Sequence, residues 1–226
     1  MEGVAYCWGG NDNGQLGNGT TDASATPVPV AGELKFIEIS AGDSHTCGRT
    51  HFGKAYCWGN NGNGQGGNGT AGTQNTAPVA VSGDLRFVRL SAGGYHTCGR
   101  TNDGATYCWG FGGYGELGDG GSVDTSPFNA PTPVLVVGGL RFVEVSVGAF
   151  HTCGRTIDGS AYCWGKNDGG ALGDGTSVNS AVPVPVLGGL KFRELTTGES
   201  HTCAITYGAK AYCWGGNSDF PIPVSW

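Results

Sequence analysis

Eight of the nine cysteines stand in four pairs, each pair ten residues apart: Cys47 with Cys57, Cys98 with Cys108, Cys153 with Cys163, and Cys203 with Cys213. The first member of every pair closes a His-Thr-Cys triplet, and the second lies in Tyr-Cys-Trp-Gly. Thiols at this spacing can join as disulfides, bind a metal, or pack as small hydrophobes. A hairpin folded about a short loop such as His51-Phe52-Gly53 sets each pair directly opposite on antiparallel strands. Non-hydrogen-bonded partners there have Cα atoms about 4.5 Å apart, at the short end of disulfide geometry. Four disulfides within hairpins are therefore expected, and with them an oxidising compartment, extracellular or periplasmic. Reduced cysteines packed in a cytosolic core are the alternative. Zinc would need more: His45, Cys47 and Cys57 recur as a set, but no second close Cys or His completes a tetrahedral site. No metal is expected. Cys7 is left over, because its Tyr6-Cys7-Trp8-Gly9 has no preceding His-Thr-Cys. An odd cysteine in an exported protein points to another chain or a missing segment. No signal peptide is visible, so export fits a chain whose original N-terminus has been removed.

The histidines of the triplets, His45, His96, His151 and His201, invite two readings. They would line an axis as metal ligands or proton carriers, or each would satisfy backbone groups between neighbouring repeats. A catalytic residue is needed once and not once per repeat, so the structural reading is preferred and no catalytic residue is assigned. The same logic makes Trp8, Trp58, Trp109, Trp164 and Trp214 packing residues between repeats, since large aromatics dominate core burial. Two Gly-x-Gly-x-x-Gly runs, from Gly62 and from Gly113, lack the following helix that would turn its dipole toward a phosphate. Asn18-Gly19-Thr20 and Asn68-Gly69-Thr70 match glycosylation acceptors and equally read as turns. The Asn/Asp-rich loops offer oxygens to calcium but lack the fixed Glu ligand of a calcium loop. No zinc-protease, serine-nucleophile or phosphate-loop motif is present. The expectation is a protein without cofactor that is not an enzyme.

The elements that carry these residues follow from the period. The Cys of the Tyr-Cys-Trp-Gly motif recurs at 7, 57, 108, 163 and 213. Repetition at about 50 residues marks a solenoid, propeller or array. Glycine, 45 residues of 226, suits turns and is costly in helices, so the chain reads as all-β. Each repeat holds four short strands. A Pro-Val strand (27–30, 78–81, 133–136, 183–186) belongs at a sheet edge because proline cannot donate to the ladder. A strand from Leu34 to Ser40, with counterparts from Leu85, Leu140 and Leu190, has the β-branched and aromatic content of one packed on both faces. The His-Thr-Cys and Tyr-Cys-Trp strands follow, and a glycine-rich loop closes the unit. Four-stranded units repeated about an axis are β-propeller blades. The reading is one repeat domain over 1–226, with units at about 1–51, 52–102, 103–157 and 158–207 and a partial cap at 208–226. The third unit carries an extra loop from Ser122 to Pro131. The shortened last unit reads as a natural end, and the mid-hairpin start as missing N-terminal repeats or an edge closed by another chain.

The order Tyr-Cys-Trp-Gly-x-Asn-x-x-Gly-Gln-Leu-Gly-x-Gly, then Pro-x-x-Val, then Gly-x-x-His-Thr resembles the repeat of the regulator of chromosome condensation family over nearly the whole chain. The resemblance implies a propeller, usually seven-bladed; four full repeats and a fifth start are too few for that ring. The family's founding activity is nucleotide exchange on a nuclear GTPase with chromatin binding. Expected export, few repeats and the net charge of −6 oppose that role here. A light-sensing relative places tryptophans in Gly-Trp-Arg-His-Thr motifs. The matching positions here read Asp43-Ser44, Gly94-Tyr95, Ala149-Phe150 and Glu199-Ser200, without Trp.

Charged residues make up only 13% of the chain, and no Lys/Arg cluster provides the electrostatic footprint of a nucleic-acid binder. No apolar run approaches the roughly 20 residues of a membrane-spanning helix. What remains is a binding scaffold with an unidentified protein partner, recognised through residues that do not repeat. Phe111, Tyr114, Phe128, Tyr95 and Phe150 are aromatics where other repeats carry glycine or small polar residues, and aromatics are enriched in interface hot spots. Two alternatives stand beside this. One is an extracellular assembly subunit, self-associating or joined to others through the open blade edge and Cys7. The other is a cell-surface carbohydrate-binding module.

Overall fold

A computed structural model describes residues 3–121, 123 and 128–224. Ser122 and residues 124–127 of the expected extra loop lie outside the described residues. The described chain is all β-strand and turn: β1 (Tyr6–Gly9), β2 (Ser24–Pro29), β3 (Glu38–Ala41), β4 (His45–Arg49), β5 (Ala55–Gly59), β6 (Asn75–Ala80), β7 (Phe87–Ala92), β8 (His96–Thr101), β9 (Thr106–Phe111), β10 (Asn129–Leu135), β11 (Phe142–Val147), β12 (His151–Thr156), β13 (Ala161–Gly165), β14 (Ser180–Pro185), β15 (Phe192–Thr197), β16 (His201–Thr206), β17 (Ala211–Gly215) and β18 (Ile222–Pro223). Among these residues no helix is long and apolar enough to cross a membrane.

The strands form four four-stranded sheets, each in simple sequence order from β3 to β6, β7 to β10, β11 to β14 and β15 to β18, and one two-stranded sheet of β1 and β2. The sheets are offset from the sequence repeat: a sheet takes the second half of one repeat and the first half of the next, so the first full sheet runs from Glu38 to Ala80. The chain gathers into two compact units. One holds the residues up to Asn102 with Trp109–Phe111 and Asn129–Pro133; the other holds Asp103–Cys108, Gly112–Phe128 and the chain from Val134 onward.

The proline strands β2, β6, β10, β14 and β18 each lie at an edge, as their missing N–H donors require. The Leu-x-Phe strand differs from expectation. It forms the opposite edge, its ladder begins at or beyond the Phe, and in the first full sheet Ile37 and Ile39 are exposed. In β11 and β15 a bulge after the Phe shifts the register, with Phe142 opposite Thr156 and Glu144 opposite Arg155. The extra residue breaks the two-residue alternation, and Phe192 and Leu195, three apart, are both buried. One face is thus packed.

The central strands carry the core. In the first full sheet Cys47 faces Cys57 and Thr46 faces Trp58; β12 on β13 and β16 on β17 repeat this register. The facing cysteines are disulfide-bonded, with Cα atoms 4.1 Å apart in the pairs 47–57, 153–163 and 203–213, and Cys98 and Cys108 are disulfide-bonded as well. Beside each bridge a Phe packs on the Trp: ring centroids are 5.7 Å apart for Phe36–Trp58, 5.6 Å for Phe87–Trp109, 5.5 Å for Phe142–Trp164 and 5.9 Å for Phe192–Trp214. Those four tryptophans are at most 1% exposed, whereas Trp8 is 62% exposed. Trp8 thus departs from its expected packing role: β1 has β2 on one side and, among the described residues, no strand on the other.

Cys7 is the free cysteine, and burial raises its thiol pKa. Alkylation in denaturant without reductant is expected to label one thiol per chain, at Cys7, by intact mass and peptide mapping. Labelling of nine cysteines would contradict the disulfide pattern.

Candidate functional site

The glycine-rich loop of each repeat presents a backbone carbonyl to the next sheet. Gln15 O accepts from Thr46 Oγ1 at 3.0 Å and from Trp58 Nε1 at 2.9 Å. Gln65 O accepts from Thr97 Oγ1 at 3.1 Å and from Trp109 Nε1 at 2.9 Å. In the second unit Glu116 O takes Thr152 Oγ1 at 3.0 Å, and Ala171 O takes Thr202 Oγ1 at 3.1 Å. There the indole N–H groups of Trp164 and Trp214 are buried without a hydrogen-bond partner.

The histidines join this network one step back. His45 Nε2 lies 2.8 Å from Thr97 Oγ1, and that hydroxyl already donates to the Gln65 carbonyl. The imidazole must therefore donate, which fixes the Nε2–H tautomer. Nδ1 is left as a buried lone pair without a partner. His151 repeats the relay through Thr202 at 2.9 Å to Ala171 O. Burial drives both imidazoles to a pKa of about 4, with repulsion from His201 adding to His151. Both are neutral donors at physiological pH. These two imidazoles bond a threonine hydroxyl, and the threonine in turn bonds the backbone carbonyl. His96 is buried too, while His201 is exposed. Among the described residues no group of three His, Cys, Asp or Glu side chains is placed to hold a metal.

A second set of polar residues escaped the sequence reading, which took the loop asparagines as turn formers. Asn11, Asn61 and Asn167 are fully buried. Each Oδ1 accepts a backbone N–H five residues on (Leu16 at 2.9 Å, Gly66 at 2.8 Å, Leu172 at 2.9 Å), and each Nδ2 donates to the carbonyl nine residues on, at 3.0 Å in all three loops. The legible signal was their fixed place three residues after Trp. The third repeat has Gly112 there, and a Cβ at Gly112 would lie 2.7 Å from Phe128 Cδ1 and 2.8 Å from Leu117 Cδ1. Phe128 fills the room of the absent asparagine, and its carbonyl accepts from Gly112 N at 2.8 Å. Of the five aromatic candidates, Phe128 is thereby engaged inside its own loop.

The other four meet in pairs. Tyr95 and Phe111 pack edge to face in the first unit, centroids 6.5 Å apart, with Tyr95 still 41% exposed. Tyr114 and Phe150 pack edge to face in the second, at 5.5 Å. Over the latter pair stands Lys166, its Nζ 5.2 Å from the Tyr114 ring centre and 5.7 Å from that of Phe150, and 3.0 Å from Asp168 Oδ2. A cavity of about 130 Å³ opens beside them, lined by Phe150, His151, Lys166, Asp168, Glu199 and Ser200. All these aromatics, and Lys166, occupy positions where other repeats carry serine, glycine or asparagine.

Glu116 is the one buried carboxylate of this frame among the described residues. Its counterpart Gln65 accepts from Asn63 N at 2.8 Å through Oε1 and donates from Nε2 to Asn60 Oδ1 at 3.1 Å. Glu116 keeps the first bond, from Tyr114 N to Oε2 at 2.8 Å, but Phe111 stands where Asn60 would, and Oε1 has no partner. Desolvation raises the carboxyl pKa to about 8, against the opposing pull of nearby backbone N–H groups. At neutral pH it is mostly a neutral acid.

The Regulator of chromosome condensation (RCC1) repeat model matches four segments, 2–48, 53–99, 103–154 and 158–205. Ultraviolet-B receptor UVR8 of Arabidopsis thaliana is 31% identical over 174 residues, covering 75% of this chain and 39% of the receptor. The mouse Regulator of chromosome condensation is 30% identical over 190 residues, covering 76% of this chain and 45% of the relative. The chain thus spans less than half the length of either. Yeast RCC1 (Prp20), solved bound to Kap60, superposes over all of this chain and 59% of its own with a TM-score of 0.82 at 19% identity, a likeness of fold.

Thr97→Val leaves His45 Nε2–H buried and unpaired, and is expected to cost about 1–3 kcal/mol in urea unfolding, more than Thr46→Val. Glu116 has a folded pKa above its unfolded one, so its stabilisation is complete below about pH 4.5 and is lost as pH rises to about 8. Glu116→Gln should flatten the unfolding midpoint across that window, where each pH unit costs at most about 1.4 kcal/mol. An identical pH profile in the variant would contradict the assignment.

Proposed function

We propose a binding role for this chain from one premise: it belongs to the regulator of chromosome condensation (RCC1) repeat family, a family of β-propeller repeats. It works as a non-catalytic scaffold that recognises a protein partner through residues that vary between repeats. The observation that carries this is the pair of edge-to-face aromatic clusters, Tyr95–Phe111 and Tyr114–Phe150 with Lys166, at positions that vary between repeats. The repeated histidines His45 and His151 are neutral, buried and hydrogen-bonded, which suits a framework and not a reaction. Aromatic side chains beside a charged pair supply the anchor and polar rim typical of a protein interface. A fold-level relative, yeast RCC1, has been solved bound to the protein Kap60. The disulfides favour an extracellular or periplasmic setting.

The test is affinity capture from extracellular fluid of the source, followed by titration of the captured protein against wild type, Tyr114→Ala and Tyr95→Ala. At least one variant should bind roughly 30-fold more weakly with an unchanged unfolding midpoint. Full-strength binding by both variants would overturn the aromatic assignment. Glycan-array binding lost in Tyr114→Ala, with no protein captured, would replace the protein partner with a carbohydrate.

A further inference from the structure

The hairpin joining β4 to β5 meets the start of β7 in a way that recurs along the chain. Phe87 N donates to Gly53 O at 2.9 Å, as Phe142 N does to Gly104 O at 3.1 Å and Phe192 N to Gly159 O at 2.8 Å. A Cβ at Gly53 would lie 3.2 Å from Arg86 Cβ. The matching distances are 3.1 Å from Gly104 to Arg141 and 3.3 Å from Gly159 to Lys191. Each hairpin thus holds a basic residue against it. In two of the three places an aspartate just before the glycine pairs with that residue. Arg141 Nη1 lies 3.9 Å from Asp103 Oδ2, and Lys191 Nζ lies 2.6 Å from Asp158 Oδ2 and 2.6 Å from Ser160 Oγ. In the first hairpin the aspartate position holds Phe52, and the position of Ala105 and Ser160 holds Lys54.

Arg86 therefore lacks the carboxylate of its counterparts and has a second cation nearby. Its Nη1 donates to the carbonyls of Asp84 and Leu85 at 3.4 and 3.3 Å. Among the described residues Lys35, Lys54 and Arg86 form no ion pair, and all three are exposed. They line one groove of about 370 Å³ together with Phe52, Tyr56 and a single carboxylate, Glu33. Phe52 is 80% exposed, with His51 edge to face on it at 5.5 Å. Lys54 Nζ stands 5.8 Å from the Tyr56 ring centre.

We propose that this groove binds an acidic segment of a protein partner. One carboxylate takes the place on Arg86 that Asp103 and Asp158 fill beside Arg141 and Lys191, and an apolar side chain covers Phe52. The site rests on the protein-binding role proposed above and adds the partner's chemistry; none of its residues belongs to the aromatic clusters. Arginine offers a carboxylate two parallel N–H donors, and the two lysines add point charges for further carboxylates. Three cations against Glu33 leave a local positive excess on a chain of net charge −6. That balance selects a short acidic segment, because a long polyanion would meet the repulsion of the whole chain. Phe52 favours the same occupant, since it offers apolar area that a peptide side chain can cover.

The probe is the fluorescein-labelled peptide Gly-Glu-Asp-Leu-Asp-Glu-Gly, titrated with the whole chain and followed by anisotropy. A control peptide carries Gln and Asn in place of the acids. The acidic peptide should saturate below about 1 mM, and the control should not. Arg86→Ala and Phe52→Asp should each weaken binding at least about tenfold. Phe52→Asp installs the residue of the counterpart hairpins, so its unfolding midpoint should be no lower than that of wild type. Lys210→Ala removes the same charge from the matching place in the last hairpin and should bind as wild type does. Tyr95→Ala and Tyr114→Ala should also bind the peptide at full strength, so this site and the aromatic clusters stand or fail separately. No saturation below about 1 mM, or equal affinity in Arg86→Ala and wild type, would overturn the proposal. An equal loss in Lys210→Ala would overturn it as well, reducing the effect to net charge. So would a heparin oligosaccharide that binds more tightly than the peptide and depends on Arg86, which would give the groove to a sulfated glycan.

Discussion

The fold depends on one backbone carbonyl per repeat. The loop oxygen at Gln15 and at Gln65 takes a threonine hydroxyl and an indole N–H from the next sheet, two donors for two lone pairs. Two donors offset the cost of burying this acceptor in the first unit, whereas at Glu116 and Ala171 the threonine donates and the indole N–H has no partner. The Trp and the Thr stand on facing positions of adjacent strands, Thr46 opposite Trp58, and the same register holds in β12–β13 and β16–β17. The loop must also approach the indole closely. Gly17, at φ +67°, has its absent Cβ 2.6 Å from Trp58 Nε1, so the position demands both a left-handed backbone and no side chain. The disulfides then lock a register that hydrogen bonding already selects.

From this arrangement follows a division of labour among polar groups. The histidine serves the threonine, the threonine serves the carbonyl, and the buried asparagine holds the loop in the shape that presents it. In the first unit His45, Thr46 and Thr97, and Asn11 and Asn61, are all buried in this network. Under the proposed binding role, chemistry toward a partner falls to the positions that this frame does not use. In the third and fourth repeats those positions carry tyrosine, phenylalanine and lysine in place of serine, glycine and asparagine. The replacement has a cost inside the frame. Phe111 removes the amide acceptor that a glutamine would have used, and Glu116 is left with a buried, unpartnered oxygen and a raised pKa. Natural frames that give up internal satisfaction commonly do so where function is built.

In the two-stranded sheet of β1 and β2, no strand lies on the far side of β1 among the described residues. Trp8 has the sequence context of Trp58 and the opposite environment, 62% exposed against 1%. An indole is buried by the strand that faces it and the sheet that covers it, not by its own motif.

Much was legible in the residues alone. The period, the all-β class, the proline strands at edges and the facing cysteines all rest on short-range causes: missing N–H groups, glycine turns, and a ten-residue hairpin that leaves little freedom of register. Repetition amplified each of these signals. What only the tertiary structure decided are the consequences of contacts between residues distant in sequence, such as Thr46 to Gln15, Trp58 to Gln15 and His45 to Thr97, which are 31, 43 and 52 residues apart. These set the tautomer of His45, the neutrality of Glu116, the enclosure of Phe128 and the pairing of Tyr114 with Phe150. No local pattern encodes them, because protonation state and exposure depend on which groups from a neighbouring sheet exclude water from a site. Sequence determined which strands form and how they pair; the stacking of sheets decided which side chains remain available.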